Sequence, residues 1–105
     1  MKIKILITTT DNRDTAETIA KILIEKKLSA CIQIIPGIIS LYPWQGSLEN
    51  SKEFYLQIKT KPELLQSCKD IILEHHNYDI PELLSLDADI LNNNYEDWFK
   101  TATKI

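Results

Sequence analysis

Between Leu28 and Thr60 the chain is dominated by strand-forming residues, and both of its glycines fall in this stretch. Residues 30–44 read as one long strand with a single interruption at Pro36-Gly37. A strand of ~13 residues spans ~40 Å at ~3.3 Å per residue. The amphipathic helix before it, of ~16 residues at ~1.5 Å each, covers only ~24 Å. A sheet built on this strand and its return partner therefore outreaches the helices that cover it. The overhang carries Ile38, Ile39, Leu41, Tyr42 and Trp44. Apolar strand ends left bare invite edge pairing and aggregation. The mismatch predicts edge-to-edge assembly of identical chains into a closed, symmetric ring, with Ile39, Leu41, Tyr42 and Trp44 at the subunit interface.

The remaining elements follow from periodicity and punctuation. Residues 3–10 are aliphatic and β-branched and read as the first strand. Asp11 suits a helix N-cap, with Asp14 in the first turn near the positive end of the helix dipole. Ala16, Ile19, Ala20, Leu23 and Ile24 then recur at helical spacing up to Lys26-Lys27. Pro36 removes a ladder donor and Gly37 permits unusual backbone angles, so a bulge is expected there. Residues 46–51 read as the connection back and residues 52–60 as the third strand. In that strand Phe54, Leu56 and Ile58 face one way; Glu53, Tyr55, Gln57 and Lys59 face the other. Thr60 and Glu63 have the spacing of a capping box for a helix whose stripe is Leu64, Cys68, Ile71, Ile72 and His75, ending near His76. Residues 82–88 form the fourth strand, and Tyr95, Trp98, Phe99 and Ala102 line a short closing helix. The order β-α-β-β-α-β plus a C-terminal helix predicts one α+β domain over residues 1–105, with a ferredoxin-like antiparallel sheet, helices on one face and an extended hairpin.

Composition excludes several classes. The formal charge of −3 is spread over twelve basic and fifteen acidic residues with no basic block, which argues against a nucleic-acid partner. No apolar run approaches the ~20 residues of a membrane helix, and the short N-terminal apolar run reads as a strand, not a signal-peptide core. Cys31 and Cys68 do not make a disulfide framework, so a reduced cytoplasmic protein is expected. With glycine only at positions 37 and 46, there is no phosphate-binding loop. No nucleophile-base pair can be named, so the expectation is a protein that is not an enzyme.

Five segments, in this order, resemble the CutA divalent-cation tolerance proteins: residues 28–37 (LSACIQIIPG), 40–46 (SLYPWQG), 58–60 (IKT), 76–82 (HNYDIPE) and 94–98 (NYEDW). The resemblance spans nearly the whole chain. It implies a ferredoxin-like fold, a homotrimer, a mostly cytoplasmic protein, binding of divalent copper, and an architecture like that of the PII signalling proteins. The chain departs from the family pattern at Asn77, where proline is usual, at Asp79 and Gln45, where glutamate is common, and at Pro43. The Gln45 change removes a charge beside Trp44.

His75 and His76 match a histidine pair through which some family members bind copper, together with a cysteine on the first strand. Thr8 stands at that cysteine's position, so the resemblance implies copper(II) binding weakened by loss of the soft ligand, and no required cofactor. Adjacent helical residues point ~100° apart, so sharing one metal needs a frayed helix end or ligands from a neighbouring subunit. The alternative is structural: His75 continues the apolar stripe, and His76 ends a helix favourably. Cys68 and His75 lie ~10.5 Å apart along the axis and cannot share an ion. Tyr42, Trp44, Tyr78 and Trp98 could form an aromatic pocket or simply be buried anchors; Lys59, Asp79 and Glu82 could supply polar groups to a cleft or be solvated. The functional expectation is a homotrimeric protein of divalent-cation tolerance. The alternatives are a PII-like sensor of a small ligand and a trimeric scaffold for another protein.

Overall fold

The computed structural model describes residues 1–104. Its elements are β1 (Lys2–Thr10), α1 (Arg13–Glu25), β2 (Cys31–Trp44), β3 (Ser47–Thr60), a 3-10 turn at Pro62–Leu64, α2 (Leu65–His75), β4 (Leu84–Asp89) and α3 (Asn93–Ala102). The four strands form one sheet in the order β2-β3-β1-β4, and every pairing is antiparallel. This is the ferredoxin-like α+β arrangement that the element order predicts.

One face of the sheet holds the main core. Leu6 of β1 and Leu56 and Ile58 of β3 meet Ala16, Ile19 and Leu23 of α1, and Cys68 and Ile72 of α2. Burying each large aliphatic side chain contributes about 1.5–3 kcal/mol relative to exposure. Most of the expected helix stripes pack, but Ile24 stays exposed and His75 is not part of this core.

Helix ends differ from the expectation in instructive ways. The N-cap of α1 is Asn12, not Asp11: Asn12 Oδ1 accepts from the Thr15 N–H at 2.9 Å. Asp11 instead accepts from Asn77 Nδ2 at 2.8 Å. At the other end Lys27 takes the left-handed conformation, φ +57°. The Leu28 N–H reaches the Leu23 carbonyl at 2.9 Å and the Lys27 N–H reaches that of Ile24 at 3.0 Å. These are the two bonds of a Schellman motif, and the accompanying apolar contact comes from Leu23 and Leu28 in the core. The capping box at Thr60 does not form, because the Thr60 hydroxyl is spent on the Leu28 carbonyl at 2.6 Å. The chain enters α2 through the 3-10 turn with no side-chain cap.

The third strand is longer than expected. It starts at Ser47, and Glu49, Asn50 and Ser51 pair with Tyr42, Leu41 and Ser40 instead of forming a loop. The turn is only Gln45-Gly46, with φ +50° and +81°. Two positive φ values in a two-residue hairpin loop give the twist that matches the strands. The register of β2 against β3 shifts between Ile35 and Ile38, and Gly37 sits there at φ +74°, which is the expected bulge. The fourth strand begins two residues later than predicted, at Leu84.

β1 accompanies β3 only from Thr60 to Phe54. Beyond that point β2 and β3 continue as a two-stranded ribbon, paired among the described residues with each other alone up to Trp44↔Ser47. The result is an elongated molecule, 47 × 24 × 21 Å.

The sheet's second face is less covered. It carries Ile3, Ile5 and Ile7 of β1, in register with Ala88, Leu86 and Leu84 of β4. Helices were expected on one face, yet α3 lies on this other one. Its Tyr95 sits near Cys31, which shares that face with Lys59, and Glu96 pairs with the N-terminal amine at 3.0 Å. Phe99 is fully buried but is not part of the α1–α2 core. Leu84 and Leu86 remain half exposed on this face.

Candidate functional site

The loop leaving α2 is pinned to β1 residue by residue. Thr10 Oγ1 donates to Asn77 Oδ1, and Thr8 Oγ1 donates to the Glu82 carbonyl at 2.7 Å. Between them His76 is held from both sides. Its Nδ1 accepts from the Tyr78 N–H at 3.0 Å, and its Nε2 lies 2.8 Å from the Thr9 carbonyl. A backbone N–H can only donate and a carbonyl only accept, so the proton sits on Nε2 and the Nδ1 lone pair is engaged.

This pinning projects Tyr78 across the base of the ribbon. Its ring tilts over His76 at 5.0 Å, and its hydroxyl donates to Glu53 Oε2. Glu53 is only 3% exposed, although it lies on the strand face opposite the main core. Burial, the hydrogen bond to Glu53 and the charges of Glu53 and Asp11 together push the Tyr78 phenol far above its usual range. It stays a donor at every physiological pH. Tyr42 is fixed in turn by a 3.1 Å hydrogen bond between its hydroxyl and Ser51 Oγ.

Between the ribbon and the loop lies a cleft of about 630 Å³. Four carboxylate residues line it, Glu49 and Glu53 from β3 and Asp79 and Glu82 from the loop. Tyr42, Trp44 and Tyr78 supply aromatic walls, and among the described residues no lysine, arginine or histidine lines it. Of the four aromatics singled out in the sequence, three meet here; Trp98 stays on α3 against Tyr95, ring centres 5.4 Å apart. Asp79 and Glu82 are brought in, whereas Lys59 points its amine to Gln33 Oε1 at 3.1 Å. Sequence reasoning missed Glu53. Strand alternation put it on the outer face, and nothing local signals that a tyrosine 25 positions away closes over it.

The histidine pair splits. His75 ends α2 with its side chain about one-third exposed and Nε2 3.8 Å from Glu74 Oε2, while His76 turns inward to β1. Among the described residues no three histidine, cysteine, aspartate or glutamate side chains converge on a common ion position. A tightly held resident metal does not fit this donor set within one chain. Both cysteines are free. Burial pushes the Cys68 thiol up, partly offset by its contact with Thr60, so it is a packing residue. Asp87 and Asp89 are cross-strand partners of Lys4 and Lys2.

Residues 4–102 match the family described as CutA1 divalent ion tolerance protein. The chain belongs to the CutA1 family. The divalent-cation tolerance protein CutA of Thermus thermophilus is 34% identical over 100 residues, covering 95% of this chain and 97% of that protein. The chloroplastic CutA of Arabidopsis thaliana is 33% identical, covering 95% of this chain. The chain spans only 55% of that relative's length. The crystal structure of CutA1 from Oryza sativa superposes with a TM-score of 0.92 at 33% identity, over 99% of this chain and 95% of that one. The CutA names describe tolerance of divalent ions and no reaction. Among the described residues no helix is long and apolar enough to cross a membrane.

Proposed function

We propose that this CutA1-family chain works as a homotrimer in the cytoplasm, binds divalent cations weakly, copper(II) among them, and catalyses no reaction. The observation that carries the assembly is the ribbon beyond Phe54, which among the described residues pairs with nothing but itself. Ile39 and Leu41 are each 63% exposed on it and Leu48 is 77% exposed. Such apolar edges are covered in stable proteins, and copies of the same ribbon supply matching strands and side chains. Ile39, Leu41, Tyr42 and Trp44 form that interface in this reading. Trp44 and Tyr42 are typical anchors of such contacts.

Divalent-ion tolerance is the property that the family's description names, and weak binding of such ions is our reading of it. His75 offers an accessible imidazole beside the Glu74 carboxylate, and both are competent copper(II) ligands. His76 joins only by giving up the Tyr78 N–H or the Thr9 carbonyl. Thr8, buried and bonded to Glu82, supplies no thiolate. Affinity is therefore micromolar or weaker. A PII-like role with an anionic nucleotide is disfavoured by the carboxylate-lined cleft, which repels phosphate. Copper titration by calorimetry should give weak saturable binding that the His75→Ala/His76→Ala double variant loses. Unchanged binding in that variant would remove this pair from the proposal.

A further inference from the structure

Among the described residues no third strand fixes the direction of the ribbon, and the loop after α2 takes that part. We propose that Tyr78 is a strut: its bond to Glu53 sets the angle at which the ribbon leaves the sheet and so readies it for other copies of the chain. The second half of this statement rests on the self-assembly proposed above; the first half does not.

The root of the ribbon is a weak point of the sheet. β1 stops pairing at Phe54, so Glu53 is the first residue of β3 beyond it. The register of β2 shifts between Ile35 and Ile38, and Ile38 is the residue that pairs with Glu53. The loss of one neighbouring strand and the bulge in the other thus fall at one place. A bulge bends its strand and increases the local twist, and a lone pair of strands is only marginally stable. Gly37 adds no steric stop there, since a Cβ at that position would meet nothing within 4 Å. A ribbon rooted in this way needs one more contact to hold a fixed angle.

Tyr78 makes its contact at that place. Its hydroxyl donates to Glu53 Oε2, and Glu53 is 3% exposed, so water does not compete for the bond. A hydrogen bond to a charged acceptor is among the stronger ones. The base of the strut is itself fixed. His76 bridges the Tyr78 N–H and the Thr9 carbonyl, Asn77 is held by Thr10 and Asp11, and Thr8 holds the Glu82 carbonyl. The phenol therefore has one position relative to β1. The angle matters because identical head-to-tail contacts close into a ring only at the right rotation. A ribbon preset at that angle also loses less freedom on association.

The experiment reads the ribbon and the assembly separately, on the full chain. Hydrogen–deuterium exchange over residues 38–53 reports the ribbon, and sedimentation across a concentration series reports the assembly. Tyr78→Phe keeps the ring and removes the donor. It should speed ribbon exchange about tenfold or more and raise the dissociation concentration by a similar factor. Ile19→Val, a change in the α1 core, should lower the melting temperature and move neither readout. Glu53→Gln still offers an oxygen to the Tyr78 hydroxyl and should stay near the wild type, whereas Glu53→Ala should behave as Tyr78→Phe does. Ribbon exchange unchanged in Tyr78→Phe overturns the proposal. Equal loss of assembly in Glu53→Gln and Glu53→Ala also overturns it, because the charge of Glu53 and not its bond to Tyr78 would then be what counts. If the wild type sediments as one chain, the ring reading fails, and the exchange comparison still decides the strut.

Discussion

Thr60 shows how one hydroxyl decides where an element begins. Its spacing to Glu63 reads as a capping box, yet the buried hydroxyl donates to the Leu28 carbonyl at 2.6 Å and sits 3.5 Å from the Cys68 thiol. It joins the end of β3 to the Schellman turn after α1 and to α2 at a single point. Thr60→Val keeps the shape and removes the donor. It should lower stability by about 1–3 kcal/mol in urea denaturation, the range for leaving a buried acceptor short of its partner; a change within error would mean that Cys68 alone satisfies that carbonyl. The same residue marks a limit of sequence reading. A local motif is visible along the chain, but the competing acceptor is 32 positions away. Glu53 and His76 are of the same kind, since each owes its state to a partner brought in by the fold, Tyr78 for one and Thr9 for the other.

Elements were far more legible than their ends. Apolar periodicity located the helices and the strands that bury a stripe or a face against the main core. Ends are set by single backbone groups, and there the reading slipped at Asn12, at Ser47 and at Leu84. The bulge was legible because Pro36-Gly37 leaves few alternatives. At Gly37 a Cβ would meet nothing within 4 Å, while φ is +74°. Gly37→Ala should therefore cost about 1–2 kcal/mol through backbone conformation alone. Lys27, at φ +57° where glycine is usual, predicts the reverse: Lys27→Gly should raise stability by up to about 1 kcal/mol. Paired thermal melts check both signs. Two element contacts are also pH-sensitive. Lys4 holds the Asp87 carboxyl below its usual range, and the N-terminal amine and Lys100 do the same for Glu96. A depressed folded value means that the stabilisation is fully present above the ordinary carboxylate range of about 4 and is lost as pH falls through the lower folded value. An Asp87→Asn/Glu96→Gln variant should thus lose less of its melting temperature than the wild type between about pH 6 and pH 3. An equal loss in both proteins would deny the pairs any part in acid stability.

The whole molecule carries more surface than a self-contained chain of its size. A compact 12.1 kDa monomer is expected to expose about 6,000 Å², and this one exposes 6609 Å². Its radius of gyration is 14.5 Å, against about 13 Å for a compact domain of this length. The excess belongs to the ribbon and to the half-open sheet face that bears Leu84 and Leu86. The overhang was legible because strand and helix rise differ by a fixed ratio. The cleft was legible only in part: Tyr42, Trp44, Tyr78, Asp79 and Glu82 stood out as candidates, whereas Glu49 and Glu53 did not, because the two walls come from segments about thirty residues apart in sequence. The central claim is that the ribbon is completed by copies of itself, and light scattering of untagged protein at micromolar concentration tests it most directly. The account predicts a particle of three times the 12.1 kDa chain mass; a particle of one chain mass, stable and unaggregated with the ribbon exposed, would contradict it.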